Sequence, residues 1–373
     1  MAFSLMEGNE AIAWGAFLSG CRFYAGYPIT PATTIFNTML KLLPPEGGIC
    51  IQGEDEIASI GACLGASMAG LKVMTATSGP GLSLYSENIS FAIGSEIPIV
   101  IAVVQRLGPS TGSATRGADG DIQFMRWGNS GGLPVIVLAP CDVKDCLLLT
   151  MHAFNLAEEF RCPVFLASNK EVSMTKEGLD MEAIHRPEIQ SRRAPAPGKP
   201  FLPFEVAPGE LVPSFLPIGA DTPVRQTSST HGPNGYITTD LDQIARNQER
   251  LKDKLISAVG RFSYHEAFLE DGAQTLVVAY GVTARAARDV YQRQRGTGPP
   301  FSLLILKTLW PVPEALIREK AKGARRIIVL EMNDGQYVRE IRRVLPEKQV
   351  VSYGRMNGKL IAPLEIREVI NHD

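Results

Sequence analysis

The stretch Gly53–Gly81 constrains this chain more than any other. It opens on three acids (Glu54, Asp55, Glu56), continues as EIASIGACLGASMAG, and ends in Thr77-Ser78-Gly79-Pro80-Gly81. Gly or Ala stands at positions 58, 61, 62, 65, 66, 69 and 70, so one face of a helix over Glu56–Gly70 is almost bare. Each internal Gly costs a helix up to about 1 kcal/mol, and in return lets a backbone or a flat molecule come close. Acids in a first turn suit the positive end of the helix dipole. That is the purely structural reading of Glu54, Asp55 and Glu56.

Around this stretch, short strands alternate with helices. A helix over 8–20 precedes a strand Arg22–Ala25, and a strand Gly48–Gln52 precedes the small-residue helix. Lys72–Ala76 and Ile97–Val104 read as strands flanking a helix over Leu82–Ile93. Leu133–Ala139 is a buried strand, Asp142 starts a helix to Glu159, and Pro163–Ser168 is expected to close the sheet. Such alternation with short connections predicts an α/β fold with a doubly wound parallel sheet. Two connections look functional. Tyr27-Pro28-Ile29-Thr30-Pro31 follows one strand, and Thr30 with Pro31 fits a helix cap and first helical position. The loop 105–121 (QRLGPSTGSATRGADGD) follows another strand and carries Arg106 and Arg116, whose planar guanidinium groups suit a carboxylate.

The remainder divides in two. Residues 181–237 are crowded with prolines, among them Pro195, Pro197, Pro200 and Pro203, and read as a linker or arm laid over a neighbouring surface. Residues 238–260 are helical and charged. A second, smaller α/β unit follows, with strands Thr275–Tyr280, Phe301–Leu306, Arg326–Glu331 and Gln349–Ser352 between helices. The expected domains are therefore 1–180, an arm 181–237, and 238–373.

Bulk properties narrow the function. A net charge of −2 argues against nucleic acid or an acidic membrane as the main partner. The start MAFSLMEGNEA has neither a basic n-region nor a long apolar run, and no stretch reaches the roughly 18 apolar residues of a membrane span, so a cytoplasmic protein is expected. The six cysteines, at 21, 50, 63, 141, 146 and 162, form no Cys-x-x-Cys, which argues against an iron–sulfur cluster on this chain.

Taken in order, the Tyr27–Pro31 turn, Glu56 with its small-residue helix, and Gln105-Arg106-Leu107-Gly108-Pro109-Ser110-Thr111-Gly112 resemble the alpha subunit of 2-oxoacid:ferredoxin oxidoreductases, the 2-oxoglutarate type above all. The resemblance covers most of 5–180 and about 230–373. It implies a thiamin-pyrimidine-binding domain followed by a domain like the C-terminal domain of transketolases, which includes Lys307–Pro313 and Glu331–Gln336. It also implies that Glu56 is catalytic, bonded to the pyrimidine ring nitrogen of thiamin diphosphate, with Tyr27, Pro28, Ile29, Ser78 and Gly79 lining the cofactor. Thr30, Arg106 and Thr115 would bind the 2-oxoacid. Glu331 and Asn333, just past a strand end, would be interface or supporting residues. Ala114, where the family commonly has Pro, and Gly117–Gly120, in place of a more polar run, leave the substrate open.

One half of a thiamin site is missing. The Mg²⁺–diphosphate end needs Gly-Asp-Gly, and the nearest strings, Gly117-Ala118-Asp119-Gly120-Asp121 and Asn333-Asp334-Gly335, do not supply it. No metal ligand is therefore assigned to this chain. The resemblance implies a beta subunit that carries Mg²⁺, the diphosphate site and a [4Fe-4S] cluster, in a dimer of heterodimers that uses coenzyme A and ferredoxin. Two alternatives stay open: the pyrimidine-domain subunit of a split thiamin decarboxylase or transketolase, and a non-catalytic CoA- or nucleotide-binding scaffold.

Overall fold

The computed structural model describes residues 3–196, 200–219, 221–296 and 298–372. Pro197 lies outside them. In chain order the first unit runs β1 (Phe3–Glu7), α1 (Gly8–Leu18), β2 (Cys21–Gly26), α2 (Thr33–Leu42), β3 (Ile49–Gln52), α3 (Glu56–Met68) and β4 (Lys72–Thr77). It continues with α4 (Gly79–Leu84), α5 (Ser86–Gly94), β5 (Ile99–Gln105), α6 (Ile122–Trp127), β6 (Ile136–Leu138), α7 (Val143–Phe160), β7 (Pro163–Asn169), α8 (Lys170–Ser173) and β8 (Lys176–Asp180). After the arm come α9 (Leu241–Ile256), β9 (His265–Phe268), β10 (Thr275–Ala279), α10 (Gly281–Gln294), β11 (Phe301–Leu306) and β12 (Thr308–Trp310). The chain ends with α11 (Glu314–Lys320), β13 (Arg326–Glu331), α12 (Val338–Val344), β14 (Gln349–Gly354) and α13 (Pro363–Asn371).

The main sheet has seven strands in the order β12-β6-β7-β5-β4-β2-β3. All its neighbours pair parallel except β12 with β6. The central strands β5 and β7 are buried along their whole length, as a sheet covered on both faces requires. The second sheet, β14-β13-β10-β11-β9, is parallel but for β9. β1 and β8 form a separate antiparallel pair.

Several expectations are corrected. β7 does not close the sheet; it lies between β6 and β5, and the edge is β12, supplied by the second unit. The helix expected over Leu82–Ile93 is two helices broken at Tyr85. Thr30 does not cap a helix, because Ala32 holds the N-cap position of α2. Helix α9, expected with the second unit, packs on the first: Leu255 joins the core that covers one face of the main sheet.

The other face of that sheet shares a single apolar core with the second unit, where Phe23, Leu64 and Val103 cluster with Leu276, Trp310 and Tyr337. The arm has no helix or strand among its described residues, yet it lies on its own chain. Arg161 donates to the carbonyls of Pro203, Pro213 and Ser214, and Arg192 to those of Ser67 and Leu71. No helix among the described residues is long and apolar enough to cross a membrane.

Candidate active site

Ligands of parallel α/β sheets bind beyond the carboxyl ends of the strands. Here β5, β4 and β2 are consecutive neighbours, so the segments that leave them emerge side by side. These are the loop 106–121, Ser78 with the first turn of α4, and the turn Tyr27–Ala32. All three motifs singled out in the sequence therefore meet at one crevice.

Glu56 begins α3, directly after the N-cap Asp55, whose carboxylate accepts a 2.7 Å bond from the Ala58 amide. Asp55 is the helix cap and Glu54 is exposed; Glu56 is only 7% exposed. No hydrogen bond reaches the Glu56 carboxylate among the described residues. Its side chain lies along the backbone of Gly81: a Cβ there would fall 2.6 Å from Glu56 Cγ and 2.7 Å from Oε1. The Gly79-Pro80-Gly81 turn thus keeps open the approach to a buried carboxylate. Ser78 is fully buried and its Oγ has no hydrogen-bond partner.

Arg106 is also 7% exposed. It donates from Nη1 to the main-chain carbonyl of Thr30 at 2.5 Å, while its buried Nε has no partner. Burial lowers its pKa, and the nearby Asp121 opposes that. This cation is thinly compensated and suits an incoming anion. Thr30 and Thr115 are exposed, as is Tyr27, while Pro28 and Ile29 are half-buried. Thr30 is bonded to Arg106 through its backbone, which leaves its hydroxyl outside that contact. Asn9, buried in α1, fixes this turn by donating to Pro31 O and Thr34 Oγ1.

Two acids missed as site residues stand in the same loop. Asp121 has an unpartnered Oδ2 packed against Gly79, where an added Cβ would lie 3.2 Å away. Burial raises its pKa to about 6 against the pull of Arg106. Burial pushes Asp119 up to about 7, the Asn169 amide partly opposing and Glu331 and Asp121 adding to it. The available signal was their position, carboxylates in a glycine-rich loop after a strand; their meaning depends on neighbours remote in sequence.

The second unit holds this loop from behind. The Asp119 amide donates to Met332 O, and Asn333 Nδ2 to Asp119 O and the Tyr280 hydroxyl. Gln123 donates twice to Gln336, from its amide to Oε1 and from Nε2 to the main-chain carbonyl, and Gln336 Nε2 donates to Gly120 O. Glu331, fully buried, accepts from the Tyr280 hydroxyl and the amides of Tyr337 and Val338. Among the described residues no group of three or more His, Cys, Asp or Glu could hold a metal ion. The six cysteines are free, and all but Cys50 are buried.

Residues 14–249 match the family model "pyruvate flavodoxin/ferredoxin oxidoreductase, thiamine diP-bdg", and 273–366 match the core domain II of pyruvate:ferredoxin oxidoreductase. A 2-oxoglutarate synthase subunit KorA from Methanothermobacter thermautotrophicus is 38% identical over 98% of this chain and 97% of its own. A ketoisovalerate oxidoreductase subunit VorB of the same organism is 34% identical over 99% and 97%. The solved 2-oxoglutarate:ferredoxin oxidoreductase from Magnetococcus marinus, with 2-oxoglutarate, coenzyme A and succinyl-CoA bound, superposes with a TM-score of 0.93 at 31% identity. That match covers 99% of this chain and 65% of the other.

Proposed function

From the chain's membership of the pyruvate flavodoxin/ferredoxin oxidoreductase family, as an alpha-type subunit of a thiamine-diphosphate-dependent 2-oxoacid:ferredoxin oxidoreductase, we propose the roles of its residues and the identity of its substrate. The substrate is 2-oxoglutarate, converted with coenzyme A and oxidised ferredoxin to succinyl-CoA, CO₂ and reduced ferredoxin. The likeness to the 2-oxoglutarate synthase subunit KorA and to the Magnetococcus 2-oxoglutarate enzyme supports this over the ketoisovalerate of the VorB relative.

The observation that carries the site assignment is the buried, unbonded Glu56 carboxylate alongside Gly81, in the same crevice as Arg106. Thiamine diphosphate, when bound, supplies the carbanion chemistry that decarboxylation needs. Glu56 fits its pyrimidine end: a carboxylate with no partner of its own is free to hydrogen-bond a ring nitrogen and hold a proton there. Ser78, Gly79, Tyr27, Pro28 and Ile29 would line that ring. Arg106 would bind the carboxylate of the 2-oxoacid by charge-assisted bonds, with the Thr30 and Thr115 hydroxyls beside it.

This chain brings half a site, and a partner subunit supplies the Mg²⁺–diphosphate half and the [4Fe-4S] cluster. The partner covers the face of α3 on which Ile57, Ala58, Gly61 and Gly65 are exposed. Two such pairs associate in the cytoplasm, where six free cysteines suit a reducing environment.

The test compares Glu56→Gln with Glu54→Gln in the complex reconstituted with its partner. Glu56→Gln assembles and binds thiamine diphosphate, but the exchange of the cofactor's C2 proton, followed by NMR in D₂O, slows by about 10²-fold or more. Glu54→Gln exchanges at the wild-type rate. Equal behaviour of the two variants would overturn the assignment.

A further inference from the structure

Two adjacent carbonyls of the turn Tyr27–Ala32 are held from different elements. Arg106, just past the end of β5, donates from Nη1 to Thr30 O at 2.5 Å. Asn9, in the first turn of α1, donates from Nδ2 to Pro31 O at 2.8 Å and to Thr34 Oγ1 at 2.6 Å. A carbonyl can only accept, so the group that faces Pro31 is the amide NH₂. Asn9 is fully buried, and its Oδ1 has no hydrogen-bond partner, so its side chain serves this place as a donor. The start of α1 is itself fixed. The Gly8 amide donates to Thr175 O at 3.3 Å, and a Cβ on Gly8 would fall 2.5 Å from Val172 O. Thr30 O and Pro31 O belong to consecutive peptide planes joined at Pro31, whose ring fixes φ, so a shift of one carries the other.

We propose that Asn9 is a positioning residue for the substrate clamp. By holding Pro31 O and Thr34 Oγ1 it fixes the Thr30 carbonyl on which Arg106 rests, and so keeps the rest of the guanidinium in place for the carboxylate of a 2-oxoacid. The proposal rests on the reading of Arg106 as that clamp. The buried Nε of Arg106 is without a partner, so the Thr30 carbonyl leaves it free for the incoming anion. A guanidinium grips a carboxylate through donors at fixed spacing, which makes the grip sensitive to a small displacement.

The complex reconstituted with its partner and cofactors tests this with Asn9→Asp, of the same shape but with an oxygen in place of the donating NH₂. KM for 2-oxoglutarate should rise by about tenfold or more, while kcat, KM for coenzyme A and C2-proton exchange without substrate stay within about threefold. Asn9→Ser, uncharged and shorter, should give the same split and stands in if Asn9→Asp does not fold. A residue that only stabilises the fold would move all four quantities together, and that result would overturn the proposal. The double variant with Arg106→Lys decides the route. If Asn9 acts through Arg106, Asn9→Ser raises KM by less than about threefold further in the Arg106→Lys background. Effects that multiply in full, or a KM that Asn9→Ser leaves unchanged on its own, would overturn it as well. If Arg106→Lys alone leaves KM unchanged, the clamp reading fails, and this proposal with it.

Discussion

Gly81 has no room for a side chain. A Cβ there would meet Thr77 Oγ1 at 2.1 Å and Glu56 Cγ at 2.6 Å, and neither is the tip of a long flexible group. Gly81→Ala should therefore move the Glu56 carboxylate, costing about 1–3 kcal/mol in stability from overpacking. Activity of the assembled enzyme should fall by about 10²-fold, the scale of a misplaced proton-handling group. Gly61 is the control, since nothing lies within 4 Å of its missing Cβ. Gly61→Ala should stabilise the isolated chain by about 0.5–1 kcal/mol, read by urea unfolding. If both variants melt and react alike, the crowding at Gly81 is not functional. The place of Glu56 at the start of α3 was legible in the sequence because the small-residue helix follows it directly. Thr30 looked like a cap because Thr-Pro opens many helices, whereas here the chain makes one more turn before α2 begins. Asp121 was not legible as a site residue, since its contact is Gly79, forty-two positions away in the chain.

At the scale of elements, the buried strands declared themselves. Ile99–Val104 is a continuous apolar run, and Arg326–Glu331 was bounded correctly. Strands defined by a distant partner did not: Thr308–Trp310 is three residues long and becomes a strand only by pairing with Ile136–Leu138. The same holds for Phe3–Glu7 against Lys176–Asp180. Helix α3 shows what pattern can say about function. Its buried positions, Ser59, Ile60, Cys63, Leu64 and Ser67, face the sheet, while Gly61 and Gly65 face outward. Gly61 and Gly65 are thus not needed for packing inside this chain, whereas Ala62 and Ala66 pack against its core. Gly65→Leu should leave the isolated chain folded, with far-UV circular dichroism unchanged, yet prevent assembly with the partner subunit by size-exclusion chromatography. Normal assembly of that variant would show that the partner docks elsewhere.

Across the whole molecule, one buried ion network joins the first unit, the arm and α9. Glu96, fully buried, accepts from Arg250 and Lys254, and Arg250 and Arg161 also donate to carbonyls of the arm. Burial alone would push the Glu96 carboxyl up; Lys254 and Arg250 overcome that and hold it at about 2. A carboxyl depressed in the folded state contributes stability above its unfolded pKa and loses it as pH falls through the folded one. Between pH 4.5 and 2 the wild type should lose on the order of 3 kcal/mol from this group, and Glu96→Gln should lack that portion of the acid sensitivity. Denaturant titrations at several pH values measure the difference; parallel curves would refute it. The strand exchange between the units has its own consequence. The main sheet borrows Thr308–Trp310 from a segment made late in synthesis, after the arm, α9 and the first strands of the second unit. As the chain leaves the ribosome, β6 waits as an uncovered edge, the kind that pairs with strangers. Completion of the N-terminal half is therefore scheduled by the C-terminal half, and a chain interrupted before Trp310 would be a nascent product for chaperones rather than a working domain.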